Sequence, residues 1–258
     1  MSFPNAAPTA PVTITGGLLR PAGAGAFPAV VLLHGCHGVS TSTYDWARWF
    51  RDLGYAALVV DSWGPRGMDE GCTPRSIDIH FTERFSDAIG ALRFLQARPD
   101  VDRGRVGAIG WSNGGAFAMA MVNGPSLERA RGRGVTLPEP GYQASVAFYP
   151  GGCRSIVKEK VVRPLLILIG GNDDWTYPTA CREMVDAHRS RGADATLIVY
   201  PGAYHYFDVV GQPRAWLGDV SNDNLPNECC GATVGHDAAA AAAARTAVRE
   251  FFDRHLKR

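Results

Sequence analysis

The sequence predicts an α/β fold with a mostly parallel central sheet and helices on both faces. Three observations predict it. Short apolar runs recur along the chain. Several are continuous rather than alternating, as in strands covered on both sides. Stretches of helical period separate them. The candidate strands are Val12–Leu19, Ala29–Leu33, Ala56–Val60, Val106–Ile109, Ala144–Tyr149, Leu165–Ile169 and Thr196–Tyr200.

Between the strands, Trp46, Phe50 and Leu53 fall at i, i+4 and i+7. Phe85, Ile89, Leu92 and Leu95 repeat the spacing, and Val248, Phe252 and Leu256 do so near the C-terminus. Each set marks one apolar helix face. No repeat and no dividing linker is visible, so residues 1–258 are expected to form one domain. Stretches 62–79, 124–141 and 212–235 fit neither period. Loops this long often form lids or binding edges, and ligands of parallel sheets sit at the carboxyl ends of strands. All three are therefore expected at a pocket rim.

Composition excludes several classes of function. The 26 basic and 25 acidic residues leave a net charge of +1, with no basic footprint for nucleic acid or an anionic membrane. Arg129, Arg131 and Arg133 are the densest basic cluster and read as a solvated loop. No apolar run approaches the roughly 18–20 residues that span a bilayer. The first residues lack a basic and an apolar leader region, so a cytoplasmic location is expected. Six cysteines are too few for a disulfide scaffold. Pairing among Cys36, Cys72, Cys153 and Cys181 is open, while the neighbours Cys229 and Cys230 are not expected to bond each other. Gly16-Gly17 and Gly151-Gly152 form neither a dinucleotide fingerprint nor a P-loop, and no cofactor is expected.

The chemistry centres on "GAIGWSNGGAFAMA", residues 107–120. Gly110-Trp111-Ser112-Asn113-Gly114 fits G-x-S-x-G between a strand and a helix at Ala116–Val122. This is the setting of a nucleophile elbow. Such a turn projects the serine Oγ above the sheet edge. The next N–H, on Asn113, then sits at a helix N-terminus, where partial positive charge accumulates. A serine hydroxyl needs a base, and the base needs a third group to orient it. His205, in "YPGAYHYFD", follows a strand and should emerge on the same edge. His236 is a weaker alternative, whereas His80, His188 and His255 read as surface or capping residues. "LLILIGGNDDWTYP" supplies the acid: Asp173 is preferred by position, leaving Asp174 to cap a helix or bind backbone. The order serine, aspartate, histidine is that of α/β-hydrolases.

"VVLLHGCHGVS", "GWSNGG", "GGNDDW" and "YPGAYHYFD", in this order and spacing, resemble the dienelactone hydrolase family within the α/β-hydrolase superfamily. The resemblance runs from about Val30 to the last helix. It implies Ser112 as nucleophile, Asp173 as acid and His205 as base, with the backbone N–H of Cys36 joining that of Asn113 in an oxyanion hole. It also implies differences. The family's nucleophile is a cysteine. Gly35 stands nearest its glutamate, and Val209 stands where an arginine holds the substrate carboxylate. Arg66 and Arg75 are the available substitutes. The expected activity is therefore carboxylesterase-like cleavage of small neutral esters through an acyl-enzyme. A lactone hydrolase, an acyltransferase and a non-catalytic binder on the same fold are the alternatives.

Aromatic residues cluster near these motifs. Trp63, Trp111, Trp175, Tyr204 and Phe207 are expected to line a substrate pocket suited to apolar groups. "HGCHG" at 34–38 matches no zinc spacing, so no metal is expected. A histidine base predicts that kcat/KM falls as pH drops through roughly 6–7, where imidazole takes up a proton; a pH–rate profile checks this.

Overall fold

Val30 and Leu32 pack with one cluster of side chains, while Ala29, Val31 and Leu33 pack with another, and none is more than 2% exposed. This alternation is what a strand buried between two helical layers requires. The computed structural model of the chain describes residues 1–73 and 81–257. In chain order the elements are β1 (Ser2–Pro4), β2 (Thr13–Leu19), β3 (Phe27–Leu33), α1 (Thr41–Asp52), β4 (Ala56–Asp61), α2 (Phe81–Gln96), β5 (Val101–Trp111) and α3 (Asn113–Ala120). They continue with α4 (Gly124–Gly132), β6 (Ser145–Phe148), β7 (Leu165–Gly170), α5 (Pro178–Arg189), β8 (Ala195–Tyr200), β9 (Ala215–Leu217), β10 (Ala232–Val234) and α6 (Ala238–Leu256).

Eight strands form one sheet in the order β1-β2-β4-β3-β5-β6-β7-β8. β1 and β2 join antiparallel at one edge, and β4 through β8 run parallel. This is the α/β-hydrolase fold. Trp46 and Phe50 of α1 and Val248 and Phe252 of α6 pack on the face carrying Val30 and Leu32. Phe85, Ile89 and Leu92 of α2 pack on the face carrying Val31 and Leu33. The expected helical stripes are thus the buried stripes. β3 pairs with both β4 and β5. The chain leaves β3 toward one side and β5 toward the other, which opens a crevice at their carboxyl ends.

Two of the unassigned stretches hold an α-helix or strands. α4 begins inside 124–141, because Pro125 falls in the first helical turn, where its missing N–H costs nothing. Asn123 caps the helix, accepting from Ser126 N at 2.9 Å. The arginine cluster therefore lies on and after a helix rather than in a loop, and Arg129 pairs with Glu159 at 2.6 Å. Within 212–235, β9 and β10 form a short antiparallel ribbon. The part of 62–79 beyond Thr73, with Arg75, and His80 lie outside the described residues.

All six cysteines are paired: Cys36–Cys72, Cys153–Cys181 and Cys229–Cys230. The last differs from the expectation that the neighbours Cys229 and Cys230 do not bond each other. Among the described residues, no helix is long and apolar enough to cross a membrane. His188, expected at the surface, is fully buried under the turn at Ile156, and its Nε2 meets the Ile156 carbonyl oxygen at 2.9 Å.

His34, just past β3, is buried as well. Ser62 N donates to its Nε2 at 3.1 Å, so the proton sits on Nδ1, which donates to the Gly35 carbonyl at 2.6 Å. Burial first, and the nearby Arg84 cation second, hold its pKa well below the usual histidine value. The unfolded chain protonates His34 below about pH 6.5, while the folded chain resists until far lower. Its contribution to stability is therefore complete above about 6.5 and is lost as pH falls below that value. Urea unfolding from pH 7.5 to 5 should show this decline, and His34→Gln should flatten it.

Candidate active site

β5 ends at Trp111 and α3 starts at Asn113, so Ser112 alone makes the turn. Its φ of 53° and ψ of −116° are strained for a residue with a side chain. The glycines of the motif explain how the turn closes. A Cβ at Gly110 would overlap the Gly114 carbonyl, and a Cβ at Gly114 would overlap the carbonyl oxygens of Leu33 and His34. The start of α3 therefore rests directly on the backbone leaving β3. Asn113 is the first helical residue, and its N–H is one of the donors that a helix start leaves unpaired.

A second centre forms where β7 and β8 end. Asp173 and His205 are both buried, and His205 Nδ1 lies 2.8 Å from Asp173 Oδ2. The carboxylate is held on every side. Oδ1 accepts from the N–H groups of Trp175 (3.0 Å) and Thr176 (2.8 Å), and Oδ2 accepts from Thr176 Oγ1 (3.1 Å). A carboxylate only accepts, so Nδ1 carries the proton and Nε2 is left as the basic nitrogen. Nε2 is buried and has no hydrogen-bond partner among the described residues. Asp174 turns the other way and holds Thr233 through its N–H and its hydroxyl, both at 2.7 Å. That places β10 beside His205, whose carbonyl accepts from Gly235 N at 2.9 Å.

Cys36 sits across the crevice from the elbow, 5% exposed. Its carbonyl accepts from Gly71 N and Trp63 Nε1, each at 2.7 Å, and its sulfur is tied to Cys72. The loop is thereby fixed on its far side. Cys36, His37 and Cys72 lie within metal-binding distance of one another, but both sulfurs are spent in the disulfide and neither is a thiolate ligand. Arg84, which the sequence did not single out, links the two sides. It is 3% exposed, donates to the His34 carbonyl at 2.8 Å and to Asn113 Oδ1, and stacks over Trp63. Burial pushes its pKa down to about 9, which leaves it cationic at neutral pH.

Ser112, Asn113, Cys36 and Trp175 share one cleft of about 450 Å³. Cys72 and Gly71 from the first unassigned stretch, and Ser221 and Asn224 from the third, also line it. The second stretch does not. Trp175 connects the two centres: it lines the cleft, and its ring centroid is 4.7 Å from that of His205. Tyr149 and Tyr206 cover the imidazole at 4.3 and 5.0 Å.

Of the five aromatics expected around the pocket, only Trp175 lines this cleft. Trp63 is buried behind the Cys36 loop as its hydrogen-bond donor. Trp111 turns under the sheet edge, where its Nε1 donates to Asp208 at 2.9 Å. Phe207 is fully buried in the core against Phe148. Tyr204 lies outside, beneath the Arg214 guanidinium. Side chains alternate sides along the chain, so proximity in sequence to a motif does not set the direction of a ring. Arg66 is likewise unavailable as a carboxylate clamp, because both of its terminal nitrogens bond the buried Asp87 at 2.8 and 2.9 Å.

Asp208 went unnoticed in the sequence. It is buried and accepts from Tyr149 Oη (2.6 Å), Trp46 Nε1 (2.9 Å) and Trp111 Nε1 (2.9 Å). Burial pushes its pKa up, and the three donors pull it back.

A sequence model of the dienelactone hydrolase family matches residues 14–256. A Bradyrhizobium protein named "Probable 2-oxo-3-(5-oxofuran-2-ylidene)propanoate lactonase" is 25% identical over 195 residues, 74% of this chain and 77% of that protein. A solved dienelactone hydrolase-like promiscuous phosphotriesterase from metagenomic libraries superposes with a TM-score of 0.70 at 21% identity, covering 99% and 97% of the two chains. Esterase 2 of Thermogutta terrifontis, solved phosphorylated by paraoxon, gives 0.66 at 18% identity over 96% and 93%. At these identities the structures establish a shared fold.

The crossing of α3 over β3 tolerates no side chain at 114. Gly114→Ala should destabilise the protein by about 2 kcal/mol or more and cut any activity of the cleft. Urea denaturation and an ester assay measure the two effects.

Proposed function

Because this chain belongs to the dienelactone hydrolase family, a family of ester and lactone hydrolases, we propose that it is a serine carboxylesterase acting through Ser112, His205 and Asp173. The observation that carries the reading is the buried Asp173–His205 contact with a basic Nε2 left unpartnered, one ring away from the cleft that holds Ser112. His205 Nε2 takes the Ser112 proton as Oγ bonds to the ester carbonyl carbon. The carbonyl oxygen becomes an oxyanion, held by the N–H groups of Asn113 and Cys36. Collapse breaks the bond to the alcohol, which leaves with the proton from His205. Water then repeats the sequence on the acyl-enzyme and releases the acid. Asp173 orients the imidazole and offsets its charge while it is protonated.

A lactone is a cyclic ester and follows the same steps, with the alcohol retained on the acyl group. The family resemblance and the Bradyrhizobium relative's name favour this as the second reading. The carboxylate-gripping residues weigh against dienelactone itself. Gly35 and Val209 offer no charge, and Arg66 is committed to Asp87. Those positions favour neutral esters, and Arg154 is a cation on the cleft wall. Cys36–Cys72 and Cys153–Cys181 further support an oxidising compartment over the cytoplasm expected from the sequence.

A fluorophosphonate probe should label Ser112, as located by mass spectrometry. Ser112→Ala should abolish labelling and lower kcat by roughly 10⁴–10⁶. Near-full esterase activity in that variant would refute the assignment.

A further inference from the structure

A second cavity, of about 510 Å³, lies beside the cleft. The two share Gly151, Gly152 and Ser155 as a common wall. Ala116 and Ala120 of α3 line the second cavity, with Met119 between them. Positions i and i+4 lie on one face of a helix. The cavity therefore runs along α3 for about 6 Å, starting one turn past Ser112. Phe85, Ala130 and Ile156 supply further apolar walls. The charged residues on the wall are Arg129 and Glu159, which pair with each other, and the exposed Arg133, which donates to Thr82 Oγ1.

The wall shared with the cleft is low. Gly151 and Gly152 have no side chains, and a Cβ built at either meets no atom within 4 Å. A side chain at either position would therefore meet open space. Cys153, the next residue, is bonded to Cys181 on α5, which fixes the ridge in place. The volume falls within the range of small-molecule sites, and both small residues on α3 face it. Larger side chains at these two positions would narrow it.

We propose that this cavity is the acyl-chain subsite of the Ser112 cleft. It takes an unbranched apolar acyl chain of medium length, laid over Gly151 and Gly152 and along α3. The inference rests on the serine esterase reading, because the chain's carbonyl must sit at Ser112 for its tail to reach the cavity. It adds what that reading lacks, a substrate class: neutral esters of medium-chain acids.

The test is kcat/KM for p-nitrophenyl esters from acetate to octanoate, in the wild-type protein, Ala116→Phe and Gly151→Leu. The wild-type value should rise about fourfold per added methylene, the worth of burying one such group. Ala116 is half-exposed on its helix, and Phe there fills the cavity. Gly151 has room for a side chain, and Leu there raises the ridge. In each variant the octanoate-to-acetate ratio should fall at least about tenfold, with thermal melts reporting that both are folded. A wild-type profile flat from acetate to octanoate overturns the inference. So does an unchanged ratio in folded variants while hydrolysis still depends on Ser112. Hydrolysis that survives in Ser112→Ala instead overturns the assignment of the nucleophile.

Discussion

The contact between Gly114 and the last carbonyls of β3 governs the rest of the site. Two backbones meet there with no side chain between them. The meeting sets Ser112 against the loop of Gly35 and Cys36; a Cβ on Gly35 would lie 3.7 Å from that of Ser112. It also fixes the start of α3, and with it the N–H of Asn113. Arg84 reinforces the junction from below by bonding both His34 and Asn113. A cation placed there is costly to bury. Its carbonyl and amide partners and the rings of Trp63 and Phe117 offset that cost. The strain at Ser112 persists because the surroundings hold it from both strands.

His205 is positioned by a different device. Asp208 gathers three donors from separate elements: Trp46 on α1, Trp111 at the end of β5 and Tyr149 after β6. Tyr149 covers the face of His205, and Trp111 precedes Ser112 directly. One buried carboxylate, three residues beyond His205, therefore couples the elbow to the imidazole's packing. Fully satisfied buried networks of this kind rigidify what they touch.

The fold was legible because it rests on local signals, and the triad candidates were drawn from local signals as well. Continuous apolar runs gave the inner strands, and the spacing of Phe85, Ile89 and Leu92 gave α2. The glycines around Ser112, and the paired acids after "LLILIGG", marked chain ends that leave the sheet. β1, β9 and β10 escaped notice, since three residues are too few to show a period. α4 was hidden because Gly124-Pro125 reads as a break until the Asn123 cap is seen. Of the aromatics expected around the pocket, Trp63, Trp111, Tyr204 and Phe207 fall outside the cleft. Ring direction depends on tertiary packing, which no local pattern encodes. Arg84 and Asp208 were invisible for the same reason: a charged residue in sequence is most often at the surface, and only the fold reveals these two as buried.

The ribbon of β9 and β10 has a consequence for biosynthesis. His205 is held in part by residues 233–235, which reach it through Asp174 and its own carbonyl. The seat of the imidazole is therefore complete only once residues 233–235 have been added, well after Ser112 in the order of synthesis.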